Sequence, residues 1–166
     1  MKKKINKNLL KDSKKIPAKK RRQLANYIKK NSIYSISKAS TKEIDSFNIL
    51  QATLLSMKRA IKKLKRKPNI VLIDGVHAPK NMNYNFKTVI RGDEKIPVIS
   101  AASIIAKVAR DRYITILSKN YKSYGWLTNF GYGTKKHLNA IRKFGVTIHH
   151  RKSFKPMHNI LLGKKK

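Results

Sequence analysis

The chain has 166 residues, enough for one domain of ordinary size, and its 40% hydrophobic content suits a folded core rather than a disordered tail. Lys and Arg number 41 against 7 Asp and Glu, a formal net charge of +34, so the folded chain repels itself unless it binds something negative. There is no Cys, which excludes disulfides and thiolate metal sites.

Nucleic acids are the abundant cellular polyanions, and clustered basic residues attract phosphate. Lys, Ile and Asn are also frequent throughout, as in proteins from AT-rich genomes, so codon drift is a second source of the charge. Residues 1–16 are Lys-rich, with Asp12-Ser13-Lys14 embedded in them. No apolar stretch follows the basic start, unlike a secretory signal, and no run approaches the roughly 20 apolar residues of a membrane span. A cytoplasmic location without membrane association is expected.

Pro17 stands where a helix can begin, and residues 22–30 place Leu24, Tyr27 and Ile28 on one helical face. Residues 33–37 alternate apolar with polar and predict a half-buried strand. Thr41, followed by Glu43, signals another helix start. Phe47, Leu50, Leu54, Met57, Ile61 and Leu64 then recur at three- and four-residue steps until Pro68 closes the pattern. Residues 70–73 are an unalternating apolar run, as in a strand covered on both faces, and lead into Asp74-Gly75. Residues 87–90 predict a second short strand leading to Arg91-Gly92-Asp93. Residues 100–110 predict a helix rich in small residues, and residues 121–134 an aromatic, Gly-rich loop. A helix over 137–144 ends at Gly145 as its cap, and a basic tail follows. Alternating helices and strands define the α/β class.

Ligands of α/β sheets bind beyond the carboxyl ends of the strands, where Asp74 and Asp93 both fall. Such a carboxylate has three readings: a hard-cation ligand, an ion pair with a neighbouring base, or a turn former such as Asp-Gly. Two of them beside a basic surface add weight to phosphodiester chemistry with Mg²⁺ or Mn²⁺, whose preferred ligands are Asp and Glu oxygens.

Several motifs point further: Ile73-Asp74-Gly75, Gly92-Asp93, the run Ile99-Ser100-Ala101-Ala102-Ser103-Ile104-Ile105-Ala106-Lys107-Val108-Ala109-Arg110-Asp111-Arg112, Gly131-Tyr132-Gly133-Thr134-Lys135 and His150-Arg151-Lys152-Ser153-Phe154. With Asp12-Ser13-Lys14-Lys15 and the segment from Glu43 to Ala52, they resemble bacterial ribonuclease HII, the type 2 ribonuclease H, in order and over nearly the whole chain. The resemblance implies a single ribonuclease H-like domain over 1–166, with a basic helical part at about 113–166. It implies endonucleolytic cleavage of RNA in RNA–DNA hybrids and at ribonucleotides embedded in DNA, leaving 5′-phosphate and 3′-hydroxyl ends. The cofactor is then Mn²⁺ or Mg²⁺, held by four carboxylates of which Asp74 and Asp93 are two. Tyr132 corresponds to a tyrosine that stacks on the sugar beside the ribonucleotide. Ser13 and Lys14 match a substrate-contacting motif, and Asn48 and Gln51 fall where nucleic-acid backbone contacts are expected. The implied partners are hybrid and ribonucleotide-containing duplexes, bound by a monomer with no obligate protein partner.

One motif of the family has no counterpart. The Asp-Glu-x-Gly-Arg-Gly segment, which carries the other two carboxylates, does not occur before Asp12. The expectation is an N-terminally truncated chain that lacks the first two strands of the sheet and is inactive alone. The competing function is a non-catalytic basic nucleic-acid-binding protein or a decayed paralogue. Of the remaining residues, Asp111 reads as a helix-end ion pair with its Arg neighbours and Asp12 and Asp45 as local caps or turns. Tyr124 and Trp126 read as packing, and His149 and His150 as solvated or phosphate-facing.

Overall fold

The structure is a computed structural model and describes Leu10 and residues 16–163. Its elements are α1 (Ala18–Asn31), α2 (Thr41–Lys62), β1 (Val71–Asp74), β2 (Phe86–Val89), α3 (Gly92–Lys95), α4 (Pro97–Asn120), a 3₁₀ turn (Lys122–Tyr124), α5 (Trp126–Asn129), α6 (Lys135–Phe144) and α7 (Lys155–Gly163). The chain divides into two compact units, one of residues 1–37 and 56–109, the other of residues 38–55 and 110–166.

In the first unit β1 and β2 pair in parallel, with Val71 opposite Phe86 and Asp74 opposite Val89. The strands predicted at 70–73 and 87–90 are both present, each displaced by one residue from its predicted bounds. The expected two-sided cover of the first is not: Ile73 alone is buried, Val71 and Leu72 are half-buried, and Ile70 is exposed. The core of this unit is aliphatic. Ala25 and Ile28 of α1 meet Ala101, Ile104 and Ile105 of α4, together with Leu10, and Leu24 and Val108 pack at the edge. The small residues of α4 allow this close approach, because Ala101 presents only a methyl group to the neighbouring helix.

The strand expected at residues 33–37 is absent. Those residues take no regular structure, and Ile33, Tyr34 and Ile36 are all exposed. A strand needs a ladder partner, and none reaches this segment among the described residues. The segment is tied instead to α2, where the Ser35 hydroxyl donates to the Ala60 carbonyl, while the Lys29 ammonium lies 5.7 Å from the Tyr34 ring centroid.

The start of α2 is a capping box one residue earlier than Thr41. The Ser40 backbone N–H and hydroxyl both donate to Glu43 Oε2, at 2.8 and 3.0 Å, and the Glu43 N–H donates back to Ser40 Oγ at 3.2 Å. The helix is interrupted at Asn48, whose φ of 68° and ψ of 167° leave the helical region. Its Oδ1 accepts the Gln51 N–H at 3.1 Å, so Asn48 caps the segment that follows.

The second unit has an aromatic interior. Tyr124, Trp126, Ala140, Ile141 and Met157 are buried together, with Leu117, Tyr121, Leu138 and Ile160 packed around them. Its α6 begins at Thr134, which accepts the His137 N–H on its hydroxyl, and stops at Gly145, whose φ of 81° suits glycine.

Candidate metal and nucleic-acid site

Asp74 is the last residue of β1, and Asp93 lies in the first turn of α3, just beyond the end of β2. The parallel register brings these two ends to one edge, where the Gly75 N–H donates to the Val89 carbonyl at 3.0 Å. A second bond ties the Asp74 carboxylate to the Gly92-Asp93 motif: the Gly92 N–H donates to Asp74 Oδ1 at 2.8 Å. Glycine at residue 92 leaves room for this approach. A Cβ there would stand 2.6 Å from Ile99 Cδ1, so the end of that side chain would have to turn away, and a tight 3.3 Å from Val89 Cβ. The preceding Arg91 sits at φ 55°, a left-handed conformation costly for a non-glycine residue, and pairs with Glu94 at 2.7 Å.

The two carboxylates differ in environment. Asp74 is exposed, whereas Asp93 is only 7% exposed. Both offer oxygen, which suits a hard divalent cation, and Asp74 has a second oxygen beyond the one bonded to Gly92. Among the described residues no group of three or more His, Cys, Asp and Glu gathers around a common point. As oxygen donors the two carboxylates suit the expected cation in kind.

Tyr132 belongs to the second unit and is 57% exposed. It sits on a loop built from left-handed residues, Phe130 at φ 48° and Gly131 at φ 78°. Asn129 organises that loop. Its buried side chain accepts the Gly131 N–H at 2.8 Å and donates to the Tyr124 carbonyl at 2.8 Å, while its own carbonyl accepts the Tyr132 N–H at 2.8 Å. The Arg110 guanidinium then covers the Tyr132 ring at 5.2 Å from the centroid. Sequence reading passed over Asn129; the clue was an amide side chain directly before a Gly-rich turn. Asn48 and Gln51 are exposed in the same unit, with Asn48 already serving as the cap described above. Ser13 and Lys14 lie outside the described residues.

Three further expectations are corrected. Asp45 is no local cap: it accepts the Lys152 N–H at 3.1 Å on Oδ2 and the Ser153 N–H and hydroxyl at 2.9 and 2.7 Å on Oδ1, joining segments 107 and 108 residues apart. Burial opposes ionisation there, but the bonds from Ser153 and Lys152 prevail and hold the carboxyl below its ordinary range. Asp111 contacts Arg110 at 3.7 Å in the middle of α4, not at a helix end. His150 is buried, not solvated. Its ring stacks on His137 at 5.4 Å and lies 5.3 Å from Trp126, and its Nδ1 accepts the Thr147 N–H at 2.9 Å. Burial, reinforced by His137 and His149, pushes its pKa down to about 4. Tyr124 and Trp126 are packing residues as expected, stacked with ring centroids 5.4 Å apart.

A parallel strand pair with carboxylates at its C-terminal edge, followed by a long small-residue helix, defines the chain as an α/β protein of ribonuclease H-like fold. The ribonuclease H2 from Pyrococcus horikoshii superimposes with a TM-score of 0.74 at 23% identity, covering 96% of this chain and 83% of that one. The family model described as ribonuclease HII matches residues 1–157, and the chain belongs to that family. A ribonuclease HII from Pelagibacter ubique is 61% identical over 157 residues, spanning 95% of this chain and 84% of the relative. One from Cereibacter sphaeroides is 49% identical over 152 residues, spanning 92% and 72%. The family consists of endoribonucleases that cut RNA in RNA–DNA hybrids and generally depend on a divalent metal. No helix among the described residues is long and apolar enough to cross a membrane.

Proposed function

We propose that Asp74 and Asp93 are two of the metal-binding carboxylates of a ribonuclease that cuts RNA–DNA hybrids and duplexes with embedded ribonucleotides, leaving 5′-phosphate and 3′-hydroxyl ends. The observation carrying this reading is the 2.8 Å bond from the Gly92 N–H to Asp74 Oδ1, which holds the two strand-end motifs at one edge. A bound Mg²⁺ or Mn²⁺ would activate water and stabilise the departing oxygen. Asp74 and Asp93 would supply charge and oxygen ligands, and Gly92 would keep Asp74 in a single orientation. Tyr132, with one polar edge and an exposed ring, would stack on the sugar beside the scissile position. Asn48 and Gln51, with Ser13 and Lys14, would contact the nucleic-acid backbone.

Two carboxylates are half of the set that the family resemblance requires. We therefore expect these 166 residues, taken alone, to bind duplex without cutting it. The test is an assay with Mn²⁺ and with Mg²⁺ on a duplex containing one ribonucleotide. No cleavage is expected from the 166 residues, and cleavage from a chain extended upstream through an Asp-Glu-x-Gly-Arg-Gly strand. Asp74→Asn in the extended chain should abolish cutting, roughly a thousandfold loss or more on the scale of removing electrostatic stabilisation from a reacting centre. Robust cutting by the 166 residues, or by the extended Asp74→Asn variant, would sink the assignment.

A further inference from the structure

The edge of the strand pair opposite Asp74 and Asp93 carries a second group of polar side chains. A cleft of about 420 Å³ opens there, with Lys67, Asn69, Asn83, Tyr84 and Asn85 in its wall. Lys67 and Asn69 lie on the approach to β1, and residues 83–85 on the approach to β2. The Asn85 carbonyl accepts the Val71 N–H at 2.8 Å, which holds the two approaches together. Both strands have 4 residues, so the cleft and the carboxylate edge are separated by about 13 Å of strand. Cleft and strands all belong to the first unit.

The wall combines three kinds of group. The first is an aromatic face: Tyr84 is half-buried, with Lys67 Nζ 5.5 Å from its ring centroid and Phe86 meeting it edge-on at 6.3 Å. The second is a set of amides. Asn69, Asn83 and Asn85 are exposed, and their side chains make no hydrogen bond among the described residues. The third is positive charge with no acid beside it. No Asp or Glu lines the cleft, and Lys67 ends a stretch, residues 58–67, in which 7 of 10 are Lys or Arg. Lys58 Nζ donates to the Lys80 carbonyl at 3.5 Å, which brings that stretch alongside the loop before β2. An aromatic face stacks on any base, an amide both donates and accepts as a base edge does, and an ammonium attracts phosphate. A duplex cannot use such a wall, because its bases are already stacked and paired with one another.

We propose that this cleft binds an unpaired nucleotide of a single-stranded nucleic acid, its base stacked on Tyr84, its edge met by the three amides and its phosphate by Lys67. The site lies at the other end of the strands from the carboxylates and takes no part in cleavage. The inference therefore stands apart from the proposed function.

The test is metal-free fluorescence anisotropy with four labelled probes: a thymidine oligomer, a uridine oligomer, a matched duplex and an oligomer of abasic sugars. Tyr84→Leu keeps an apolar contact for Phe86 but has no flat ring. It should weaken binding of the single strands about tenfold, the scale of one base–aromatic stack, and leave the duplex and the abasic oligomer unaffected. Tyr84→Phe should bind as the parent chain does. Lys67→Gln should reduce the slope of log K against log salt by about 0.7 on single strands, the value for one phosphate. A Tyr84→Leu loss confined to thymidine or to uridine would identify DNA or RNA as the source of the nucleotide. Where Tyr84→Leu does not fold, ultraviolet crosslinking of a bromouridine oligomer to the parent chain replaces it, and the adduct should map to Tyr84. Equal losses on single strand and duplex, an abasic oligomer bound as tightly as thymidine, or an adduct outside residues 67–86 would each overturn the site. Failure of the extended chain to cut hybrids would overturn the catalytic reading and leave these binding results intact.

Discussion

The two units of this protein differ in what their interiors are made of. In the first, the core is aliphatic, built on Ile28, Ile104 and Ile105; Asp74 is exposed at the strand edge, and Asp93 and Ser100 are the polar side chains it buries among the described residues. In the second, imidazoles and an amide are drawn inside: His137 and His150 stack on one another beside Tyr124 and Trp126, and the buried Asn129 side chain donates to the Tyr124 carbonyl and accepts the Gly131 N–H. An aliphatic frame leaves its surface carboxylates available to a cation. An aromatic frame with internal hydrogen bonds fixes a loop, here the one that presents Tyr132.

The contrast predicts unequal responses to mutation and pH. The largest effect should come from Trp126→Ala. The indole is 3% exposed, and removing it should cost about 3–5 kcal/mol in denaturant unfolding, enough to unfold the second unit. A cost under about 1 kcal/mol would mean the aromatic interior is not what holds that unit.

Acid should strike the second unit first. His150 has a folded pKa of about 4, below the ordinary 6.5, so the unfolded chain takes up its proton more readily. The contribution of the neutral ring is therefore complete above about pH 6.5 and is lost as pH falls from there toward 4. Burial lowers the His137 pKa in the same direction, against its bond to the Tyr124 carbonyl. After discounting for solvent screening, the loss from His150 is about 2 kcal/mol. Unfolding titrations between pH 7 and pH 4, read by near-ultraviolet dichroism from Trp126, would reveal it. A stability flat over that range would contradict the buried imidazole.

A smaller loss is expected from Asp45→Ala, about 1–2 kcal/mol, as three donors from Lys152 and Ser153 lose their acceptor. Hydrogen exchange at the Lys152 and Ser153 amides should rise with it; unchanged protection would show that the tether is idle. The smallest effect belongs to the first unit. Ile36→Thr, at a side chain 41% exposed, should change stability by no more than about 0.5 kcal/mol. A larger loss would mean that residues 33–37 carry packing their exposure hides.

Local signals in the sequence were enough wherever the deciding interaction is local. The helical stripe of Leu24 and Ile28, the small residues of α4, the apolar run before Asp74 and the glycine stop at Gly145 each follow from neighbours a few residues away. The same logic misled at residues 33–37, where alternation is present but no ladder partner is. Periodicity describes a side-chain pattern, and a strand is defined by hydrogen bonds to another strand.

The motifs behave likewise. The order and wording of Ile73-Asp74-Gly75, Gly92-Asp93 and the long run of α4 determined the family and singled out the two aspartates. Tertiary structure alone decided that Gly92 would donate to Asp74, that Asp45 would bind Lys152 and Ser153, and that His150 would be buried. Each of these joins residues distant in the chain, or depends on which neighbours exclude water. Chain order does not encode that, because a carboxylate or an imidazole reads the same in sequence whether water or protein surrounds it.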